Sequence, residues 1–203
     1  MYKKPVIIFE GVEGSGKTSH IRFVSNYLKK KKIDFIRIRE PGGNINSEKI
    51  RKLILSNKSN FNKDTDLLLY LAARSENINL IKKFYKKKII LIDRFVDSTI
   101  AYQHFGFGIN LSLIKSINNY LLKDFKITFT FLNIVNKKNM KKRLKVRKKL
   151  NRYDKFNITF YNKVQNGFLK LARKKKSYLI VDSNLDINFN KNKIINKINK
   201  LIQ

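Results

Sequence analysis

Apolar residues fall along the chain in five short runs, separated by longer stretches in which they recur at helical spacing. The first run, Val6-Ile7-Ile8-Phe9, is short and sharply bounded, as a strand buried on both faces requires. Residues 33–38 alternate like a strand, 88–92 form a third run closing on Asp93, and 127–132 and 178–181 supply the fourth and fifth. Between them, Ile21, Val24, Tyr27 and Leu28 mark a helix over 19–31. Further helices are predicted over 47–55, from a cap at Asp64 or Thr65 to about residue 84, over 98–103, 111–122, 136–150 and 157–174. Ile194, Ile195, Ile198, Leu201 and Ile202 give a last helix its apolar face, and 183–193 reads as a polar loop. Strands separated by helices predict an α/β fold: a doubly wound five-stranded parallel sheet, right-handed crossovers, and helices on both faces. One domain over 1–203, without internal repeats, is expected.

The turn after the first strand carries the most specific chemistry. Gly11-Val12-Glu13-Gly14-Ser15-Gly16-Lys17-Thr18 fits GxxxxGK[ST], between a strand and a helix as that motif requires. Glycines let consecutive N–H groups converge on phosphate oxygens, and the helix N-terminus behind them adds partial positive charge. Lys17 suits the β- and γ-phosphates of a nucleotide, and the Thr18 hydroxyl suits the Mg²⁺ they carry. The motif points to a nucleotide-triphosphate site.

Other stations follow at strand ends and on helix faces. Arg39-Glu40-Pro41-Gly42-Gly43 is a rigid turn at the carboxyl edge, where open α/β sheets bind ligands. Asp93 ends the third strand, where a carboxylate either holds Mg²⁺ or caps a helix, and the adjacent Arg94 suits an acceptor phosphate. Tyr70 and Arg74 are four apart, so they share a helix face. That pair suits a flat heterocycle, or else core packing beside a surface charge. Thr99 and Gln103 share a face by the same spacing, and Gln103 can both donate to and accept from an imide edge. In the basic 136–150 segment, Arg143 and Arg147 lie on one face and Arg152 follows, against a thin apolar edge of Met140, Leu144 and Leu150. The segment reads either as a lid, spanning about 136–156, or as a solvated charge run.

Composition changes this picture little. The net charge of +32 would suit a nucleic-acid binder. However, 36 of the 46 cations are Lys, and Lys, Asn and Ile together make up 87 of 203 residues. Those residues have codons built wholly or mainly from A and T, so base composition accounts for the excess, and no specific nucleic-acid partner is expected. Three of the five glutamates, Glu10, Glu13 and Glu40, sit in or beside glycine-rich motifs. The absence of cysteine excludes disulfides and thiolate metal sites, and no apolar run approaches a membrane span. A cytoplasmic protein without membrane attachment is expected.

GVEGSGKT, REPGG, YLAAR, DRF followed by DSTIAYQ, and RLKVRKKLNR occur in one order over residues 5–172. Together they closely resemble the bacterial thymidylate kinases. The resemblance implies phosphorylation of dTMP to dTDP by ATP·Mg, with Glu13 near the acceptor sugar and metal. It puts Arg51 and Arg94 on the dTMP phosphate, Tyr70 and Arg74 on the base, Thr99 and Gln103 on the base edge, and Tyr102 against the sugar. Glu40, Pro41 and Ser98 join that acceptor site. Arg147, helped by Arg143 and Arg152, becomes the lid arginine, and a homodimer is implied. Phe107-Gly108 stands where the family usually has Arg-Gly, and Asp154 where Glu is common. A kinase for another acceptor leaves Arg51 and Arg94 without a role, and a nucleic-acid-dependent NTPase leaves REPGG unexplained. A GTPase lacks its NKxD motif.

Overall fold

The computed structural model describes residues 3–123, 125–173 and 175–203. Five strands, β1 (Val6–Gly11), β2 (Phe35–Arg39), β3 (Ile89–Asp93), β4 (Phe129–Ile134) and β5 (Tyr178–Asp182), form one parallel sheet in the order β2-β3-β1-β4-β5. β1 lies at the centre with every residue buried, as its uninterrupted apolar run requires. Its alternate residues serve opposite faces. Ile7 and Phe9 join a core with Ile21, Val24 and Leu28 of α1 (Lys17–Lys30) and Ile194 and Ile198 of α8 (Ile187–Ile202). Val6 and Ile8 pack with Ile78 and Ile81 of α3 (Lys63–Phe84). Chain order reverses on either side of β1, so the carboxyl ends of β1, β3 and β4 open onto one crevice.

The remaining helices are α2 (Ile45–Leu55), α4 (Val96–Thr99) continuing as a π-helix (Ile100–Gly106), α5 (Leu111–Leu122), α6 (Lys137–Lys145) and α7 (Ile158–Ala172). Four expectations need correction. The cap of α3 is Asn62, whose side chain accepts from Thr65 N; Asp64 and Thr65 lie inside the helix. The helix expected over 98–103 starts earlier and widens into π geometry. The loop expected over 183–193 ends at Asp186, which caps α8 by accepting from Asn188 N and Phe189 N. The basic helix stops at Lys145 instead of reaching residue 150. Its consecutive cations repel, and Val146 at the break is 77% exposed, so continuing the helix would bury nothing. The residue-174 end expected for α7 lies outside the described residues.

Candidate active site

The phosphate loop bends because its glycines occupy conformations closed to other residues. Gly11 has φ +139°, and a Cβ there would stand 2.2 Å from the Asn133 carbonyl oxygen. Gly16, at φ +86°, opens α1 without a side-chain cap. By contrast α2, α3, α5, α6, α7 and α8 are each capped by an Asn or Asp side chain. The uncapped first turn of α1 therefore faces the crevice as an anion site. Lys17 Nζ folds back to donate to Gly11 O (2.7 Å) and Val12 O (2.8 Å). Burial and the nearby Arg94 charge push its pKa down to about 7.

A cavity of about 750 Å³ runs from this loop across the sheet edge. Its wall brings together Glu13, Gly14, Ser15, Gly16, Lys17, Thr18, Glu40, Pro41, Arg51, Tyr70, Arg74, Asp93, Arg94, Ser98, Thr99, Tyr102, Gln103, Arg143 and Arg147. Three expected site residues are elsewhere. Gly11 and Val12 lie behind the loop, where their carbonyls hold Lys17. Arg152 turns away: its Nε donates to Ile54 O (2.5 Å) and its guanidinium pairs with the buried Asp66. Arg152 is a brace between the basic segment and α2 and α3, so its expected place at the transferring phosphoryl is corrected.

Arg94 is the electrostatic centre. It sits at φ +66°, and donates to Gly11 O (2.9 Å) and to Glu13 Oε1 (2.8 Å) while lying over the Tyr102 ring. The Tyr102 hydroxyl donates to the other Glu13 oxygen. Glu10, on β1 beneath, accepts from Phe95 N (2.8 Å), Ser98 N (3.1 Å) and Ser98 Oγ, so it fixes the backbone directly after Arg94. Burial, then the Asp97 charge, raises the Glu10 pKa from 4.5 to about 7. Between those values the native state keeps a proton that the unfolded chain releases, so this group's contribution to stability falls as pH rises. Glu10→Gln should remove that slope. Urea melts at pH 5 and pH 7.5 should show wild type losing up to about 3 kcal/mol more than the variant. Equal losses in both proteins would remove Glu10 as the source.

The end of the cavity away from the phosphate loop is built from α2, α3 and the π-helix. Arg51 Nη1 donates to Pro41 O (2.6 Å) in the turn after β2. Arg74 is 2% exposed; it donates to Glu40 Oε2 (2.8 Å) and Asn118 Oδ1 (2.6 Å), and stacks over Phe95. The shared face of Tyr70 and Arg74 thus points inward, with the guanidinium braced by a buried carboxylate. Gln103 is 1% exposed, and among the described residues neither its amide nitrogen nor its oxygen has a partner. A buried amide without partners costs free energy unless a ligand completes it.

At the opposite end, Arg143 joins two loops, donating to Gly14 O (2.9 Å) and Ser183 O (2.6 Å). Arg147 lies past the end of α6, half-exposed, and pairs with Asp154. The two arginines therefore do not share a helix face as expected. Leu144, Val146, Asn151 and Tyr153 also line this end. Tyr153 went unread in the sequence, although Asn151 and Asp154 around it form a capping box whose spacing is visible there. Phe107, in place of the family's arginine, packs on Phe156 and Phe160 at ring separations of 5.5 and 4.8 Å. It closes an aromatic wall instead of supplying a charge.

The family model for thymidylate kinase matches residues 9–194. A thymidylate kinase of Thermosipho africanus is 37% identical over 183 residues, covering 89% of this chain and 90% of the relative. One of Wolbachia pipientis wMel is 36% identical over 200 residues, covering 95% and 98%. The crystal structure of thymidylate kinase from Ehrlichia chaffeensis superposes with a TM-score of 0.77 at 31% identity, covering 97% of this chain and 98% of that one.

Proposed function

The chain belongs to the thymidylate kinase family, and from that premise we propose how its cavity divides the work of passing the γ-phosphoryl of ATP to dTMP. The phosphate loop and the uncapped start of α1 take the triphosphate, with Lys17 leaving its carbonyl partners for the β- and γ-oxygens. Arg51 and Arg94 take the acceptor phosphate. Tyr70 stacks on thymine, Arg74 reaches a base carbonyl, Thr99 and Gln103 read the base edge, and Tyr102 crowds the sugar. The observation that carries this reading is Gln103, whose two unpartnered amide atoms match an imide edge.

Thr18 and Asp93 share the cavity wall, and the described residues contain no cluster of three acidic or histidine ligands. That donor set suits a Mg²⁺ arriving on the nucleotide's phosphates, not one held by protein alone. Bound there, the ion would offset phosphate charge. Segment 136–156 acts as a lid: Arg147 swings to the transferring group, while closure excludes the water that would hydrolyse ATP.

Exposed Leu68 of α3 and Leu113 and Tyr120 of α5 supply an apolar face for a homodimer. Sedimentation should show a dimer, and Leu68→Glu should give monomers; an unchanged mass would remove α3 from the interface. Among the described residues no helix is long and apolar enough to cross a membrane, and a cytoplasmic setting completes the reading.

The test is a coupled assay with ATP and a panel of monophosphates, with and without DNA. dTMP should be preferred, and DNA should neither stimulate turnover nor bind tightly at moderate salt. DNA-stimulated ATP hydrolysis would favour a nucleic-acid-dependent enzyme instead. Within the acceptor site, Tyr70→Ala should raise the KM for dTMP roughly 5- to 150-fold, the loss of one stacking contact, with KM for ATP little changed. An unchanged dTMP KM would detach that helix face from the base.

A further inference from the structure

We propose that Tyr153 and Asp154 are positioning residues, which set the posture of Arg147 from the acceptor end of the cavity. The inference rests on reading Arg147 as the arginine that meets the transferring group. Tyr153 is 3% exposed and is held from every side. Its ring meets Tyr70 and Tyr102 edge-on at centroid distances of 5.8 and 6.0 Å, so it touches both aromatic walls of the acceptor site. Its hydroxyl donates to Asp66 Oδ2 (2.9 Å) on α3, and its carbonyl accepts from the Tyr161 hydroxyl (2.5 Å) on α7. Arg152, one residue earlier, pairs with the other Asp66 oxygen.

Asp154, one residue later, has a fully buried side chain. It accepts from Asn151 N (2.9 Å) and Asn151 Nδ2 (2.5 Å), and its second oxygen accepts from Arg147 Nη1. The stretch from 146 to 151 has no helix to hold it, so its arginine is oriented through this carboxylate. One turn of 3-10 helix, Arg152–Lys155, thus presents a ring to the acceptor pocket and a carboxylate to the half-exposed arginine. A bound acceptor that presses on Tyr70 and Tyr102 shifts Tyr153, and the adjacent Asp154 carries that shift to Arg147. The carboxylate also keeps the guanidinium away from the phosphate loop until the acceptor is seated.

A double-mutant cycle tests this. Asp154→Asn keeps an acceptor for the Asn151 cap and removes the charge that holds Arg147. It should lower kcat about 10-fold or more with both KM values within about 3-fold, and Asp154→Glu should restore most of the rate. In an Arg147→Ala background, Asp154→Asn should cost nothing further. Tyr153→Leu should lower kcat and raise the KM for dTMP together, its kcat loss also vanishing in that background, whereas Tyr153→Phe keeps the ring and most of the rate. Should Asp154→Asn fail to fold, Asp154→Ser retains a cap acceptor and enters the same cycle. Additive kcat losses would overturn the proposal, since Asp154 and Tyr153 would then act without Arg147. Normal kcat in Arg147→Ala itself would instead sink the lid reading on which it rests.

Discussion

Arg147→Ala should lower kcat by about 10³-fold, the scale lost when an arginine that meets a transferring phosphoryl is removed, while KM for dTMP changes little. The phosphate loop reads Val12-Glu13-Gly14-Ser15-Gly16, so Lys17 is the cation it contributes. Charge spreading over the transferred oxygens must be met from outside the loop. Of the three arginines in the basic segment, Arg143 spends both terminal nitrogens on the Gly14 and Ser183 carbonyls, and Arg152 is pinned to Ile54 and Asp66. Arg147 is half-exposed at the cavity mouth, held by one carboxylate. It can reorient without breaking the fold, although Arg147→Ala leaves the buried Asp154 carboxylate with only its Asn151 donors among the described residues and should lower Tm by some degrees. Arg147→Lys should rescue only in part, because an ammonium lacks the planar fork. Near-normal kcat for Arg147→Ala with a loss in Arg143→Ala would mean the wrong arginine had been chosen.

Arg94→Met is expected to fail in two separable ways. It leaves Glu13 with its main partner gone in a site where both side chains are largely buried. Breaking such a pair costs about 3–5 kcal/mol, or roughly 6–20 °C in Tm for a chain of this size. It also removes the guanidinium assigned to the acceptor phosphate, worth roughly 10²- to 10³-fold in kcat/KM. Adding Glu13→Gln should recover much of the Tm, because the stranded carboxylate is no longer charged, yet should not recover turnover. If the double variant regains both, Arg94 serves only the fold. If it regains neither, the Glu13 pairing is not what its loss exposes.

What the sequence made legible was local. The buried strands announced themselves because four or five consecutive apolar residues between charges have few other uses, and the phosphate loop because its glycines and Lys17 sit within eight residues. The misreadings concern distant partners. Arg152 looks like one more lid cation until Asp66, 86 residues away, takes hold of it. For Arg74 the sequence left open a ligand-facing guanidinium or a surface charge, and only Glu40 and Asn118, brought to it from a turn and from α5, show that it is buried. Helical spacing continued past Lys145, but whether a helix continues depends on what its next turn can bury, which no local pattern contains. The 183–193 stretch is rich in Asn and Lys, and its Asp186 cap was hidden among equally polar neighbours.

The bare start of α1 has a consequence for how such a protein can change over time. Six other helices are finished by their own Asn or Asp side chains, each worth about 1 kcal/mol, whereas this one is finished only by whatever enters the crevice. A capping side chain at Gly16 would have to be built at φ +86°, where it is strained, and it would occupy the N–H groups that phosphate needs. A lineage that keeps the reaction must carry a fold whose last piece is its substrate.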